Sequence, residues 1–382
     1  CALPICRSEY GRDEKVMVEF VSANPTGPMH MGNARGGALG DCLAAVLDKA
    51  GYNAWREFYV NDAGNQIEKF GCSLEARYLQ IFKGDEIEFP EDGYQGEDIK
   101  DLAKEYADLN GDSLVNVSAE ERKKALVDYA LPKNIKKMQA DMEKYKIFYD
   151  KWFFESELHK SGAVKAVVDL LTEKGLTYEK DGAVWYKNKE VLTQKLLKEG
   201  KSQKYIDNLE LKDDVLIRQN GNPTYFTADI AYHKNKFDRG FTTLIDVWGA
   251  DHHGHVMRMK GAMDAIGYDG DKLNVVLMQL VKLVKDGELV RMSKRTGKAI
   301  QLGDLLDEVP VDSARFLFNT KEANTQMDFD LDLAVSQDNQ NPVYYVQYAH
   351  ARICSIFKSL AKEGISPREC TDAELALITA PE

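Results

Sequence analysis

Residues 24–33 read NPTGPMHMGN and join VMVEFVS (16–22) to ARGGALGDCLAAVLDKAG (34–51). The first flank alternates as a strand does: Val16, Val18 and Phe20 share one face, and Met17, Glu19 and Val21 the other. The second flank carries apolar pairs at 38/39, 42/43 and 46/47, the step of four that marks one face of a helix, and Gly51 suits its C-terminal cap. WREFYV (55–60) reads as a second strand. Strand, crossover helix and strand within about 45 residues form a βαβ unit, so the two strands are expected to be parallel.

Further along, NDAGNQIEKFGCSLEARYLQIF (61–82) reads as a helix after an Asn/Asp cap. From Lys83 the chain turns charged and mostly helical, with a turn-like EDGYQGED, a capping box at Ser118 and Glu121, and a helical stripe of Ile135, Met138, Met142 and Tyr145. A helix is expected at 155–174 and a hairpin at Asp181-Gly182. The α/β pattern resumes with DVLIR (214–218), TLIDVWG (243–249), the helix VMRMKGAMDAIG and the strand LNVVLMQLV (273–281), which runs on to KLVKDGELV with an Asp-Gly turn. Two parallel-sheet halves split by an insertion predict an α/β, doubly wound, Rossmann-like fold. The expected boundaries are a remnant or linker at 1–15, a first half at 16–82, a mostly helical insertion with a hairpin at 83–210, a second half at 211–309, and a helical linker opening an α-helical bundle at 310–382. In that last part PVYYVQYAHARICSIFKSLAKEG (342–364) opens with Pro at the first helical position and is a long amphipathic helix.

In an open α/β sheet the ligand sits beyond the carboxyl ends of the strands, and the first strand-to-helix turn is the privileged place. Glycine there lets backbone approach a phosphate, and the helix end offers free N–H groups. Gly32 and the stretch from Asn33 to Arg35 therefore suit a triphosphate, Pro25 and Pro28 stiffen the loop, and His30 is placed to donate to an oxygen on which charge builds. The pattern is neither GxGxxG nor GxxxxGK[ST], so the dinucleotide and P-loop readings lose. Taken alone, the loop is equally explained as a plain turn. A second stretch, VRMSKRTGKAI (290–300), puts Arg291, Lys294, Arg295 and Lys298 in a Ser/Thr/Gly loop after a hairpin, a clamp for phosphates or, by itself, a solvated basic loop.

HMGN followed far downstream by MSKRTG resembles the HIGH and KMSKS pair of class I aminoacyl-tRNA synthetases, with Asn33 where the family usually has its second histidine. VEFVSANPTGPMHMGNARGGALGD, REFYVNDAGNQIEKFG and DVWGADHHGH are most similar to bacterial arginyl-tRNA synthetases, over nearly the whole chain from Val16. The resemblance implies the class I catalytic domain, with an N-terminal domain almost absent here and a helical anticodon-binding domain only begun. The chain, which starts without methionine, is thus expected to be cut at both ends and to charge tRNA poorly. It implies L-arginine, ATP and tRNA(Arg) as partners, with Mg²⁺ carried by ATP, and arginyl-adenylate as the intermediate. It assigns His30, Asn33, Lys294 and Arg295 to catalysis. ATP falls to Gly32, His30, Asn33, Gly249, Asp251, His252, Met292, Ser293 and Lys294, and arginine to Glu19, Asn24, His30, Tyr225 and Asp229. Another class I synthetase and a non-catalytic RNA- or arginine-binding paralogue remain the alternatives.

The residues themselves support an arginine site. Glu19 is a carboxylate in a strand that otherwise reads as buried, and a buried charge needs a partner. A guanidinium offers five donors in a planar fork that matches carboxylates; an internal Arg or Lys is the other candidate partner. Tyr225 and Asp229, four apart in YFTAD, share a face if that segment is helical. In GADHHGH (249–255), Asp251, His252, His253 and His255 are metal-ligand types, yet consecutive histidines rarely point to one centre, so no metal site is expected. Tyr344, Tyr345, Tyr348, His350 and Arg352 on the last long helix suit either base stacking or helix packing.

Bulk properties set the frame. The chain has 382 residues, 44% hydrophobic and 29% charged, with a net charge of −12 that argues against a protein that simply coats nucleic acid. No apolar run is long enough for a bilayer, and the start has no secretory-signal order. Six cysteines without a CxxC pair fit a reducing compartment. A cytoplasmic monomer without membrane contact is the expectation.

Overall fold

The computed structural model describes residues 7–290, 300–366, 368 and 370–379. Among them eleven strands form three sheets: β1 (Lys15–Glu19), β2 (Asn53–Val60), β3 (Lys151–Phe154), β4 (Thr177–Lys180), β5 (Ala183–Tyr186), β6 (Asp214–Ile217), β7 (Thr243–Gly249), β8 (Leu273–Met278), β9 (Val281–Lys285), β10 (Glu288–Val290) and β11 (Met327–Asp330). The central sheet has the order β3-β2-β1-β7-β8 and every pairing in it is parallel. Its strands are apolar on both faces because both faces are covered. Val18, Phe20, Phe58 and Val60 meet Ala34, Ala38 and Ala44 of the helix Met31–Lys49. Met17, Phe153 and Leu244 meet the helices Tyr225–Asp238 and His253–Ile266 through Ile230, Ala231, Met259 and Met263. The fold is therefore doubly wound, and the direction of winding changes between β1 and β7. The glycines of the first helix let it lie close to the sheet: a Cβ on Gly40 would collide with the Phe20 ring.

The expected βαβ unit is present, and so are both hairpins. Asp181-Gly182 and Asp286-Gly287 take positive φ at both central positions (51° and 73°, 52° and 75°), the geometry that matches the twist of paired strands. Elsewhere the structure departs from the pattern. Residues 61–64 are a turn, and the helix starts at Asn65, after Gly64 at φ 76°. The stretch 155–174 holds two helices, Glu155–Lys160 and Ala163–Glu173, parted by left-handed Gly162. Ser118 accepts from Glu121 N–H, but only that half of the capping box forms. β3 lies within the stretch expected as insertion and yet adds an edge strand to the central sheet. DVLI joins the antiparallel sheet β4-β5-β6 instead of the central one. The run 273–281 breaks after Met278, and β9 pairs with β10 and with β11, a strand inside a region expected to be helical.

The insertion helices Glu97–Asn110 and Ala119–Lys144 pack with Asn65–Lys83, the helix that leads into them, around a core of their own, with Phe70, Leu74, Tyr78, Ile99 and Leu126 buried in it. The helix Pro342–Lys362 opens with Asn341 as cap and leaves Tyr345, Tyr348, Ile353 and Ile356 exposed. Among the described residues no helix is long and apolar enough to cross a membrane.

Candidate active site

The loops after β1 and β7 leave the sheet where its winding reverses, which opens a crevice at the carboxyl rim. After β1 the backbone is forced through Val21 at φ 73° and Ser22 at φ 43°, positions that β-branched and bulky residues avoid. The turn aims Ser22 Oγ at Glu19 Oε1 (2.7 Å) and lets the same oxygen accept from Tyr59 N (3.2 Å).

The phosphate side is built on His30. It is the N-cap of the helix Met31–Lys49: Gly32 N donates to its Nδ1 (3.2 Å), and its own N–H donates to Asn33 Oδ1 (3.0 Å). Since Nδ1 accepts, the proton of the neutral ring sits on Nε2, and that edge is free to donate. The protein packed around the ring pushes its pKa below the usual histidine value, which keeps it neutral. Asn33, expected to face phosphate, spends its oxygen on closing the cap. An antiparallel bridge ties His30 to Gln301; Met31 N donates to Ile300 O (3.1 Å) and Leu302 N to Met29 O (2.8 Å). In front lies a cavity of about 470 Å³ lined by His30, Gly32, Val281, Lys282, Leu289 and Val290 among others. Lys282 brings a cation that the sequence reading passed over. Met292, Ser293, Lys294 and Arg295 lie outside the described residues.

The opposite side is acidic. The helix Tyr225–Asp238 does place Tyr225 and Asp229 one turn apart. Asp229 Oδ2 pairs with His255 Nε2 (3.1 Å), and Tyr225 is exposed. Across from them stands Glu155, 3% exposed, at the end of β3. Its Oε2 accepts from Tyr59 O–H (2.9 Å) and its Oε1 faces His159 Nε2 (3.3 Å). Burial pushes the Glu155 carboxyl up, its two hydrogen bonds pull it back, and the charge of Asp229 raises it further. Neither carboxylate has a Lys or Arg within ion-pair distance among the described residues. Glu155 escaped the sequence reading because KWFFE was not taken for a strand; a carboxylate directly after an apolar run was the available signal. Asn24 is exposed in the loop after β1.

Glu19, expected to grip a guanidinium, is met by an internal base. Its Oε2 accepts from Lys236 Nζ (2.5 Å), and the same ammonium donates to Asp246 Oδ1 (2.8 Å). Asp246 Oδ2 lies 2.7 Å from His233 Nε2, and His233 Nδ1 lies 2.8 Å from Asp229 O, so both ring nitrogens face acceptors. Burial would lower the Lys236 pKa, but Asp246 and Glu19 hold it above the usual lysine range. Burial works against the Asp246 charge as well, but Lys236 and His233 overcome it and bring its pKa to about 2. Glu19 shares that ammonium with Asp246, which has His233 as a second base, and burial pushes the Glu19 pKa up. An internal Arg or Lys was the other candidate partner of Glu19, and the fold selects Lys236 by turning that face of the helix inward.

After β7, Gly249, Asp251 and His252 sit on the rim next to the β1 loop. Asp251 and His252 are exposed, 3.7 Å apart, and Trp248 packs on the rings of His252 and His255. The histidines of GADHHGH diverge: His255 turns to Asp229 while His252 stays by Asp251. Among the described residues no three metal-ligating side chains converge.

The family model described as tRNA synthetases class I (R), catalytic domain, matches residues 6–354. The chain is 58% identical over 378 residues to the arginine–tRNA ligase of Ruminiclostridium cellulolyticum, covering 98% of itself and 64% of that protein. It is 57% identical over 376 residues to that of Acetivibrio thermocellus, again covering 98% of itself and 64% of the relative. It therefore spans a little under two thirds of the length of these relatives. Among solved structures, one described as an arginyl tRNA synthetase from Campylobacter jejuni superposes with a TM-score of 0.79 at 37% identity, over 95% of this chain and 74% of that one.

Proposed function

Since the chain belongs to the family of class I tRNA synthetase (R) catalytic domains, we propose that it activates L-arginine with ATP and transfers it to tRNA(Arg), as an arginine–tRNA ligase. The observation that carries this reading is the pair Asp229 and Glu155, two rim carboxylates without a Lys or Arg partner among the described residues, across the crevice from the helix end capped by His30. A guanidinium satisfies both with its planar fork, and the Tyr225 hydroxyl lies on the same helix face as Asp229. Asn24 stands at the loop after β1, placed for the amino acid's polar end, while Glu19 supports the floor through Lys236 instead of touching substrate first.

The arginine carboxylate attacks the α-phosphorus, the bond to the bridging oxygen breaks, and pyrophosphate leaves. The terminal ribose 2′-hydroxyl of the tRNA then attacks the activated carbonyl and releases AMP. Neither step needs a protein nucleophile, so rate comes from position and from charge neutralisation. His30 Nε2–H and the positive end of the helix meet the phosphates, with Gly32 leaving room for their approach; Gly249, Asp251 and His252 receive the nucleoside side. By sequence, Lys294 with Arg295 is assigned to the departing pyrophosphate and Met292 and Ser293 to ATP. Mg²⁺ comes with the nucleotide, on phosphate oxygens and water, and no protein cage is assigned to it.

The test is ATP–pyrophosphate exchange over a panel of amino acids with tRNA(Arg) supplied. Exchange dependent on arginine is expected, and Asp229→Asn should raise the arginine KM by about a hundredfold while ATP KM stays within about twofold. Exchange driven by another amino acid, or an unchanged arginine KM in the variant, overturns the assignment.

A further inference from the structure

Arg35 lies on the helix Met31–Lys49, about 6 Å along the axis from its first residue. It is 1% exposed, and among the described residues no carboxylate reaches it. Its partners are three backbone carbonyls from two distant segments: Nη1 donates to Gln279 O and Thr325 O (both 2.9 Å), and Nη2 to Glu322 O (2.8 Å). Gln279 is the break between β8 and β9, and its N–H donates in turn to Ala323 O (2.8 Å). Residues 322–325 lead into β11, the parallel neighbour of β9. The fork thus fastens both roots of the small sheet β10-β9-β11 to the helix whose first turn faces the phosphate cavity. That sheet supplies Val281, Lys282, Leu289 and Val290 of the cavity wall opposite His30 and Gly32.

A guanidinium taken out of water without an acid is a costly way to hold a chain crossing. A polar neutral side chain cannot reach three carbonyls at once, and a lysine cannot hold them in one plane. The charge also has the same sign as the helix end, so it favours an anion docked there. Burial lowers the Arg35 pKa, in line with an ion that lacks a counter-charge.

We infer that Arg35 is a positioning residue for nucleotide activation: its guanidinium seats the β9–β10 hairpin against the helix N-terminus, so that both walls of the phosphate cavity keep one spacing. The inference rests on the proposed reading of that cavity as the ATP site. Two variants test it, Arg35→Met and Arg35→Lys, in two measurements. Amide hydrogen exchange of peptides covering 279–290 and 322–330 reads the clamp without any activity. It should quicken about tenfold or more in Arg35→Met and less in Arg35→Lys, with the insertion helices unchanged. Pyrophosphate exchange, expressed per active site titrated as bound adenylate, should show kcat lower by about tenfold or more in Arg35→Met, partly rescued in Arg35→Lys, with arginine KM within about twofold. A residue that merely stabilises the fold would lower the titrated fraction and leave kcat per site alone. Wild-type hydrogen exchange at 279–290 in both variants, or unaltered kcat per site, overturns the inference. If Arg35→Met does not fold, Arg35→Lys decides on the same two readings. If the unsubstituted chain shows no arginine-dependent exchange, the proposed function fails by itself, and hydrogen exchange with the affinity for a non-hydrolysable ATP analogue still judges the clamp.

Discussion

His30 holds two duties that depend on one tautomer. Its Nδ1 accepts from Gly32 N and so caps the helix, which leaves Nε2–H for phosphate. Protonation would take the lone pair from the cap. Its pKa in the fold lies below 6.5 because surrounding protein disfavours the charged ring. The unfolded chain therefore binds this proton more readily: the contribution to stability is intact above pH 6.5 and is eroded as pH falls below it. The acid limb of pyrophosphate exchange should accordingly sit below pH 6.5. His30→Ala should slow adenylate formation by about 10²–10³-fold and cost about 1 kcal/mol from the lost cap. Rapid-quench kinetics and urea midpoints read the two effects separately, and a normal rate in the variant would remove His30 from the chemistry. His30 stood out in the sequence as a lone histidine in a Gly/Pro turn, although its use as the helix cap did not. Glu155 did not stand out, since its meaning arises only when β3 brings it opposite the helix that carries Asp229.

Elements were legible where local chemistry fixed them. Asp-Gly pairs made both hairpins, Asn341-Pro342 opened the last long helix, and the step-of-four pattern gave the first. They were missed where tertiary partners overrule pattern. KWFF is only four residues long and becomes a strand because β2 pairs with it; DVLI has the same look as a central strand but pairs antiparallel with β5. The insertion shows how a single side chain can hold an element together. Arg122, buried on the helix Ala119–Lys144, donates from Nε to Leu114 O (2.7 Å), from Nη2 to Val117 O (2.7 Å) and from Nη1 to Glu75 Oε1 (2.6 Å). It closes the turn after Asn110 onto two helices. Arg122→Met strands Glu75 and the carbonyls of Leu114, Val115 and Val117, and should cost about 3–5 kcal/mol of local stability. Because the insertion has its own core, hydrogen exchange should quicken over 97–130 and stay unchanged in β1, β2 and β7. Uniform quickening across the chain would mean that the insertion does not open by itself.

At the scale of the molecule the parallel order β3-β2-β1-β7-β8 puts the winding reversal beside β1; a doubly wound sheet was expected from the two α/β halves together, without its strand order. What holds the two halves at that seam did not. Asp246 on β7, Glu19 on β1 and Lys236 on the covering helix form one buried ionic cluster with His233, each strand supplying an acid and the helix both bases. The two acids answer to pH in opposite senses. Asp246, held at about 2 against 3.8, stabilises the fold fully above pH 3.8 and loses that contribution as pH falls toward 2. Glu19 is raised above 4.5, so its contribution is present below 4.5 and is lost as pH rises through its folded value. Asp246, which faces two bases, therefore carries the seam more than Glu19, which faces one. Asp246→Asn should cost about 3–5 kcal/mol at pH 7, since it leaves Lys236 and His233 facing too little negative charge. Glu19→Gln should cost distinctly less, because Asp246 still meets the ammonium. Urea unfolding at pH 7 and near pH 3 measures both. The Asp246→Asn deficit should shrink at the lower pH, and equal deficits for the two variants at pH 7 would show that the ammonium does not favour Asp246.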